Sequence, residues 1–271
     1  MRRVRPETLA PLAKLALAVG AVCALAAAGA PAAHAASPAT VDFSQGMQDW
    51  IAAGAGASAT SGIDSTLGNG TPAFHAVGTS NTMQMTSLTN AGFLGDYGGH
   101  GLLTFSVDVD VATLQTAGSG TSIQQDFVLE LRDYDKPSPM RSYSSVWIKL
   151  GAIGDGMPAS QHFSATFDPL SNVLPAGWNG YGEYDQDGHM GLPYAQTFRR
   201  LLGDVDQIVI GTSVPNYYYF SEQDYDVAID NIALTVAAPV PEPAPVAMLG
   251  LGLGLLAMLA RRRRGKDNGS G

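Results

Sequence analysis

The 271-residue chain carries a net charge of −9, and its basic residues are concentrated at the two ends. Residues 37–238 contain six Lys and Arg against twenty-one Asp and Glu, which gives this region a net charge of −15. Such an acidic region excludes recognition of nucleic acid through phosphate contacts and favours hard cations, which take carboxylate oxygens as ligands. The single cysteine, Cys23, excludes a fold held together by disulfides.

Residues 1–35 have the pattern of a secretory signal peptide. Three arginines near the start are followed by an apolar segment from Leu15 to Ala28 and by the small-residue site Ala33-His34-Ala35. We therefore expect export across the inner membrane, with cleavage by signal peptidase after Ala35. Cys23 would be removed with this segment.

Residues 36–238 have the two-residue periodicity of β-strands. Leu103 to Val111 alternates apolar and polar side chains, so one face of this strand should be buried and the other exposed. Short strands between Gly-rich loops predict an all-β fold, an antiparallel jelly-roll β-sandwich. Further strands are predicted at 126–131, 144–150, 162–167, 207–211 and 227–236.

One short helix is predicted over residues 194–202. Phe198, Leu201 and Leu202 recur there at helical spacing, and Gly203 follows them as a candidate C-terminal cap.

Several segments of this region resemble the laminin IV (laminin B) domain, an extracellular β-sandwich. The resemblance rests on the segment Phe93-Leu94-Gly95-Asp96, on the Tyr97-Gly98-Gly99 that follows it, on the helix-to-strand passage at 198–211 and on a closing strand at 227–232. The opening Val41-Asp42-Phe43 is similar to that of galactose-binding-like sandwiches. The resemblance implies a structural or adhesive role and supplies no catalytic residue.

The C-terminal residues combine three features in a fixed order. Val240-Pro241-Glu242-Pro243 is followed by an uncharged apolar run at 246–260 and then by Arg261-Arg262-Arg263-Arg264. Residues 239–264 resemble the PEP-CTERM sorting signal of Gram-negative bacteria that make exopolysaccharide. A polar tail, 265–271, follows.

The resemblance implies an exosortase as partner. The apolar run would be a single transmembrane helix, stopped on the cytoplasmic side by the arginines. Cleavage near the Pro-Glu-Pro motif would then leave the protein at the cell surface or in the extracellular matrix, either released or attached.

An ordinary membrane anchor is the alternative reading of this tail. Fifteen helical residues span about 22 Å, less than the roughly 30 Å of bilayer hydrocarbon. The short length favours a transient sorting signal over a permanent anchor.

A structural calcium ion is the only cofactor that the sequence suggests. Asp42 and Asp230 belong to the first and last predicted strands, which lie side by side in many jelly rolls, so the two carboxylates form a candidate metal site. Asp185-Gln186-Asp187-Gly188 also begins like a calcium loop, but a solvated turn explains it equally well.

Aromatic residues in Gly-rich stretches are candidates for stacking on sugar rings. Trp178, Tyr181 and Tyr184 lie among glycines, which predicts an exposed loop and a carbohydrate platform, although core packing is the alternative for each ring.

Two classes of function remain open. The first is a non-enzymatic surface protein that binds exopolysaccharide or matrix proteins, for example in a biofilm. The second is a secreted glycosidase or lyase, for which two carboxylates would have to face each other across a sugar. The candidates for such a pair are Glu130 with Asp133 and Asp135, or Glu183 with Asp185 and Asp187.

Overall fold

A computed structural model describes most of the region between the two ends. The described residues are 39–53, 58–70, 72–135, 137–138, 141–157, 160–217 and 220–236. The predicted signal peptide, the sorting motif with its apolar run and arginines, and the polar tail lie outside them. Residues Ala36–Ala238 form one compact unit. No helix among the described residues is both long and apolar enough to cross a membrane.

Two antiparallel sheets form the unit, and their strands are numbered in chain order. The first sheet has the strand order β10-β6-β15-β4-β3, with β1 beside β15 and β7 beside β6. Its strands are β1 (Ala39–Val41), β3 (Ser58–Asp64), β4 (Ala73–Ser80), β6 (Leu103–Thr116), β7 (Thr121–Ser122), β10 (Gln161–Phe167) and β15 (Gln223–Val236).

The second sheet has the strand order β11-β9-β8-β14-β5-β2. Its strands are β2 (Trp50–Ala53), β5 (Gln84–Ser87), β8 (Gln124–Asp133), β9 (Ser144–Gly154), β11 (Trp178–Tyr181) and β14 (Gln207–Gly211). A separate hairpin, β12 (Glu183–Tyr184) with β13 (Met190–Gly191), and one short helix, α1 (Phe198–Leu201), complete the described elements.

The core lies between the two sheets. Because side chains alternate along a strand, every second residue points inward. Val107 and Val109 of β6 are at most 1% exposed, and Leu129 and Leu131 of β8 face them from the other sheet at the same low exposure. The prediction of an all-β antiparallel sandwich is confirmed.

The predicted strands are present, and all except the one at 207–211 extend beyond the predicted bounds. The strand predicted at 103–111 continues to Thr116, and the one predicted at 227–236 begins at Gln223. Strands β2 to β5 and β11 were not predicted, because they are short or rich in Gly, Ala, Ser and Thr.

The helix is shorter than predicted. It covers only Phe198–Leu201, and the side chain of its N-cap, Thr197, accepts a hydrogen bond from the Arg200 N–H. The cap at its C-terminal end is Leu202 in a right-handed conformation, so the prediction that Gly203 caps the helix is wrong.

The segments that carry the laminin IV resemblance meet in space. Gly95 and Val205 exchange backbone hydrogen bonds of 2.8 and 2.9 Å, and the Tyr97 N–H donates to the Leu202 carbonyl at 2.9 Å. Phe93, which is 1% exposed, packs edge-on against Trp50 at 5.7 Å between ring centroids. This loop is therefore fixed by the passage from α1 to β14.

Candidate functional site

The outer face of the second sheet carries an unusual set of side chains. Its inner face supplies core residues such as Leu131, Val146 and Ile208, so the residues between them point outward. One outward row, taken from the register, runs across five strands: Thr86, Val209, Glu130, Trp147 and Asn179. The next row holds Gln207, Arg132, Ser145 and Tyr181.

A buried ion pair lies in the middle of this outer face. The Arg132 guanidinium donates to Glu130 Oε2 from Nε at 2.9 Å and from Nη2 at 2.6 Å. Ser145 Oγ donates to the other carboxylate oxygen, Oε1, at 2.6 Å. Burial acts to lower the pKa of Arg132, but the charge of Glu130, its hydrogen bond and the neighbouring tyrosines together outweigh burial and raise the pKa above its usual value.

Gln207 connects the ion pair to its surroundings. Its Oε1 accepts from Arg132 Nη1 at 3.0 Å and from the Tyr134 hydroxyl at 2.7 Å, and its Nε2 donates to Thr86 Oγ1 at 2.6 Å. Each of these polar groups has a partner, so the network forms a rigid floor.

Four tyrosines, the tyrosine cluster, lie at one end of this floor: Tyr134, Tyr143, Tyr181 and Tyr184. The ring centroids are 5.4 Å apart for Tyr134 and Tyr143, and 5.2 Å apart for Tyr143 and Tyr181. Tyr143 and Tyr181 are half-buried, whereas Tyr134 and Tyr184 are 40% and 42% exposed. The cluster therefore offers ring surface to a ligand.

Two arginines pack on these rings. The Arg132 guanidinium lies 4.6 Å from the ring centroid of Tyr143, and that of Arg141 lies 5.4 Å from Tyr181 and 6.0 Å from Tyr184. Burial raises the pKa of the Tyr143 hydroxyl, and the nearby Glu130 charge acts in the same direction, so Tyr143 is a neutral hydroxyl at physiological pH.

Three loops meet above the tyrosine cluster. Asn216 Oδ1 accepts from the Tyr184 hydroxyl at 3.0 Å and from Arg141 Nη2 at 3.4 Å. Ser138 Oγ donates to the Gly182 carbonyl at 2.5 Å. The loop after β14 thus reaches back over the outer face, which explains why outward residues such as Val128 and Val209 are only 2% and 4% exposed.

Trp178 does not belong to this site, and the prediction that it is an exposed loop residue is wrong. It begins β11, points into the core and is 5% exposed. Its ring packs edge-on against Phe167 at 5.0 Å and Phe198 at 5.1 Å. Tyr181 and Tyr184 do lie on the outer face and its hairpin, and their stacking on sugar stays a prediction.

Sequence reasoning missed most of this site, although the pattern was present. The strand predicted at 126–131 and the residues after it carry Glu130, Arg132 and Tyr134 at every second position. The strand predicted at 144–150 and the residue before it carry Tyr143, Ser145 and Trp147 at the same spacing. Polar and aromatic residues at a spacing of two, on consecutive strands, predict one shared outward face.

Both carboxylates of the predicted calcium pair, Asp42 and Asp230, accept hydrogen bonds from nearby groups. Asp42 Oδ1 accepts from the Ser44 backbone N–H and from Ser44 Oγ, at 3.0 and 2.7 Å. Asp230, which is 2% exposed, accepts from the backbone N–H groups of Asn69 and Asn231 at 3.0 and 2.6 Å. N–H groups directed at a carboxylate are the wrong neighbours for Ca²⁺, which needs several free oxygens, so these residues do not fit a calcium site.

A cross-strand neighbour of Asp230 is another carboxylate. Asp108 of β6 lies opposite it, and Asn231 Nδ2 donates to Asp108 Oδ2 at 3.0 Å and to Asp230 Oδ2 at 3.1 Å. His162 Nδ1 lies 2.7 Å from Asp108 Oδ1. This cluster ties three strands of the first sheet to the loop after β3.

The turn of the small hairpin brings Asp185, Asp187 and His189 together. Their ligand atoms lie within 4.8 Å of one another, and all three residues are exposed. The His189 backbone N–H donates to Asp185 Oδ1 at 2.8 Å, and this hydrogen bond lowers the pKa of Asp185. The contacts are those of a self-contained solvated turn.

Residues 239–264 match the family model of the PEP-CTERM protein-sorting motif. The predicted sorting motif is thus confirmed. No curated protein matches the chain.

Solved structures that match the chain include carbohydrate-binding modules and agarases. The CBM22-1–GH10 modules of xylanase 10B from Clostridium thermocellum, complexed with xylohexaose, match at 12% identity and a TM-score of 0.40, over 73% of this chain and 28% of that one. The CBM22-2 xylan-binding domain of Paenibacillus barcinonensis Xyn10C matches at 9% identity and a TM-score of 0.41. The match covers 73% of this chain and 99% of that domain. A mannan-recognising module, TmCBM27, matches at 9% identity and a TM-score of 0.34. The match covers 75% of this chain and 100% of that module. Scores of this size carry no information about the ligand of this chain.

Proposed function

We propose that this protein is exported, processed by an exosortase and held at the cell surface or in the extracellular matrix of a Gram-negative bacterium, where it binds polysaccharide without cleaving it. The outer face of the second sheet is the binding site. The observation that carries this proposal is the tyrosine cluster, which lies partly exposed on a rigid polar floor.

Sugar rings present both apolar C–H faces and hydroxyl groups. Half-exposed tyrosine rings can pack on the C–H faces, and their hydroxyls can hydrogen-bond to the sugar hydroxyls. A tyrosine side chain loses little conformational entropy in doing so. Arg141 and Asn216 add a donor and an acceptor beside Tyr184. A rigid floor reduces the entropy lost on binding, because the groups beneath the ligand are already fixed.

Catalysis is not supported by the carboxylates of this face. Both oxygens of Glu130 accept hydrogen bonds from Arg132 and Ser145, so Glu130 is committed to the floor and is not available as a general acid or base. Glu183 Oε2 accepts from the Tyr194 backbone N–H at 3.0 Å.

Export and processing rest on the sorting motif at 239–264. The motif implies an exosortase and a membrane-anchored stage before release or attachment. In a biofilm, a surface protein of this kind would contact the exopolysaccharide made by the same cell.

Affinity electrophoresis of the full-length chain in gels that contain xylan, galactomannan, hydroxyethylcellulose or alginate tests the binding site. At least one polymer should retard the protein. Tyr184→Ala and Arg141→Gln should each reduce the retardation, whereas Tyr194→Ala, which removes a ring that is 96% exposed outside the cluster, should not.

Two results would contradict the proposal. One is retardation by no polymer, or equal retardation of the wild type and both site variants. The other is a fall in polymer length on incubation with the protein, measured by size-exclusion chromatography, which would favour the glycosidase or lyase.

A further inference from the structure

A small cavity opens at the end of the sandwich opposite the tyrosine cluster. Its volume is about 280 Å³, and its walls include Ile123, Gln125, Tyr217, Phe220, Ser221 and Gln223. We call it the end pocket. Gln125 lies at the start of β8 and Tyr134 just beyond its end, about 30 Å away along the strand. The loop before β15 connects the two regions, because Tyr217 of the end pocket follows Asn216, which accepts from the Tyr184 hydroxyl.

Gln223 gives the end pocket an unpaired polar group. It is the first residue of β15, it lies between Ser80 and Thr116 in register, and it is 3% exposed. In the part of the chain that the structure describes, its Oε1 has no hydrogen-bond donor. A buried acceptor without a donor carries a desolvation penalty, so a ligand that brings a donor gains free energy.

Rotation of the Gln223 amide about its terminal bond exchanges the positions of its oxygen and nitrogen. Because the same side chain lines the end pocket, this rotation would turn the oxygen towards a ligand there. A hydroxyl in the pocket is the simplest donor to pair with it.

Two aromatic rings at the mouth of the pocket are exposed. Tyr217 and Phe220 are 67% and 95% exposed, and both lie in the loop between β14 and β15. Such exposed rings contribute little to the core, and ring faces of this kind stack on sugars.

The chemistry of the walls selects a neutral ligand. None of the described residues that line the end pocket carries a charge, and Gln125, Gln223 and Ser221 offer amide and hydroxyl groups. The volume is near the lower limit of ligand pockets, roughly 300 Å³, and so suits one sugar ring. A second cavity of about 420 Å³ shares Gln125 and Tyr217 with it and has room for the adjoining ring. Its one charged wall residue among those described, Asp126, is paired with Lys149.

We infer that the end pocket is a second carbohydrate site, which takes the terminal one or two rings of a neutral glycan, with Gln223 as hydrogen-bond acceptor and Tyr217 and Phe220 as stacking residues. This inference concerns ligand contacts at Gln223, Tyr217 and Phe220, none of which is assigned to the outer face, and it does not depend on the proposed function of that face.

Saturation-transfer NMR of the full-length chain tests the inference. The protein is held in a detergent without a sugar headgroup, and the probes are glucose, xylose, mannose, galactose and their β-1,4-linked disaccharides, with glucuronate as the charged counterpart. At least one neutral probe should give a signal stronger than glucuronate does. Gln223→Met and Tyr217→Ala should each weaken its affinity at least tenfold, and Phe220→Ala should weaken it several-fold.

Stability provides an independent readout for Gln223. Methionine has nearly the same size and no acceptor that needs a donor, so Gln223→Met should keep or raise the melting temperature of the free protein. A clear fall in melting temperature would show that the amide is paired within the fold, and would overturn the inference.

Matched variants separate the two sites. Tyr194→Ala should leave binding at the end pocket unchanged, and Tyr134→Ala, at the other end of β8, should weaken retention by polymer without affecting the small probes. No signal with any neutral probe, or wild-type affinity in Tyr217→Ala and Gln223→Met, would overturn the end pocket while leaving the outer face untouched.

Discussion

At the scale of single residues, Trp178 shows how one side chain can be assigned to the wrong role. Glycines on both sides of Trp178 predict an exposed loop, yet two of them serve close packing. A Cβ at Gly180 would lie 2.6 Å from the Leu192 backbone nitrogen, and a Cβ at Gly182 would lie 2.8 Å from the Pro193 ring. Composition alone does not distinguish a flexible glycine from one that admits a neighbouring segment.

Truncation of Trp178 should therefore reduce stability more than binding. Trp178→Ala removes a ring that packs against Phe167 and Phe198, and the expected loss is about 3–5 kcal/mol in the free energy of unfolding. Urea denaturation measures it. Tyr184→Ala, a truncation on the exposed cluster, is the control and should change stability by less than about 1 kcal/mol. A loss of similar size in both variants would contradict the assignment of Trp178 to the core.

Asp108 should make the fold sensitive to acid. Its burial acts to raise the pKa, but hydrogen bonds from His162, Asn231 and Asn69 outweigh this effect and hold the pKa below its usual value. A carboxyl whose pKa is lowered by folding stabilises the protein above the unfolded value of about 4, and this stabilisation is lost as the pH falls through the folded value.

Melting temperatures recorded between pH 7 and pH 2 test the role of Asp108. The wild type should lose stability below about pH 4, and Asp108→Asn should be less stable at pH 7 with a shallower acid slope. His162→Ala, which removes one hydrogen-bond partner, should flatten the slope in part. An Asp108→Asn curve parallel to that of the wild type at every pH would refute this account.

At the scale of elements, the strands that could be predicted are those with long alternation. In β6 and β15 the large apolar residues Leu103, Phe105, Val107, Val109, Val227 and Ile229 belong to the core, so the pattern in the sequence is strong. Strand β2 contains Trp50, which is fully buried, and Ile51, which is 51% exposed, and then two alanines that give no contrast. Short strands of small residues are recognised only by their partners across the sheet, and a sequence does not show those partners.

The same limit applies to the candidate site. Tyr181 and Tyr184 were singled out from local composition, whereas Tyr134, Tyr143 and Trp147 needed the pairing of β8 with β9. The end pocket joins residues from β6, β8 and β15 with the loop before β15. Nothing local in the sequence marks Gln223 as a buried acceptor.

Gly211 fixes the distance between two strands of the second sheet. It ends β14, and a Cβ there would lie 2.1 Å from the Met83 carbonyl oxygen and 2.9 Å from the Gln84 Cα. Because both contacts are with backbone, Gly211→Ala must separate β14 from β5 and should cost roughly 1–3 kcal/mol. Gly62→Ala in the edge strand β3, where a Cβ meets nothing within 4 Å, is the control. Equal thermal stability of the two variants would show that the sheet absorbs the added methyl group.

At the scale of the whole molecule, both ends of the chain should be removed during export. The mature protein should run from about Ala36 to near the Pro-Glu-Pro motif, and intact mass spectrometry of protein recovered from the cell surface measures this. Glu242→Ala within the motif should leave unprocessed protein in the membrane fraction. Surface protein that still carries Arg261 to Arg264 would count against sorting.

The place of β15 in the fold determines how the domain bears a load. It is the last strand of the domain, and it also lies inside the first sheet, hydrogen-bonded to β6 on one side and to β4 and β1 on the other. A pull on the chain that follows Val236 acts along the strand and across its hydrogen bonds, so that many of them must shear together instead of opening one at a time. If the mature protein is held by this end of the domain, the load therefore enters through a strand that is hydrogen-bonded on both sides.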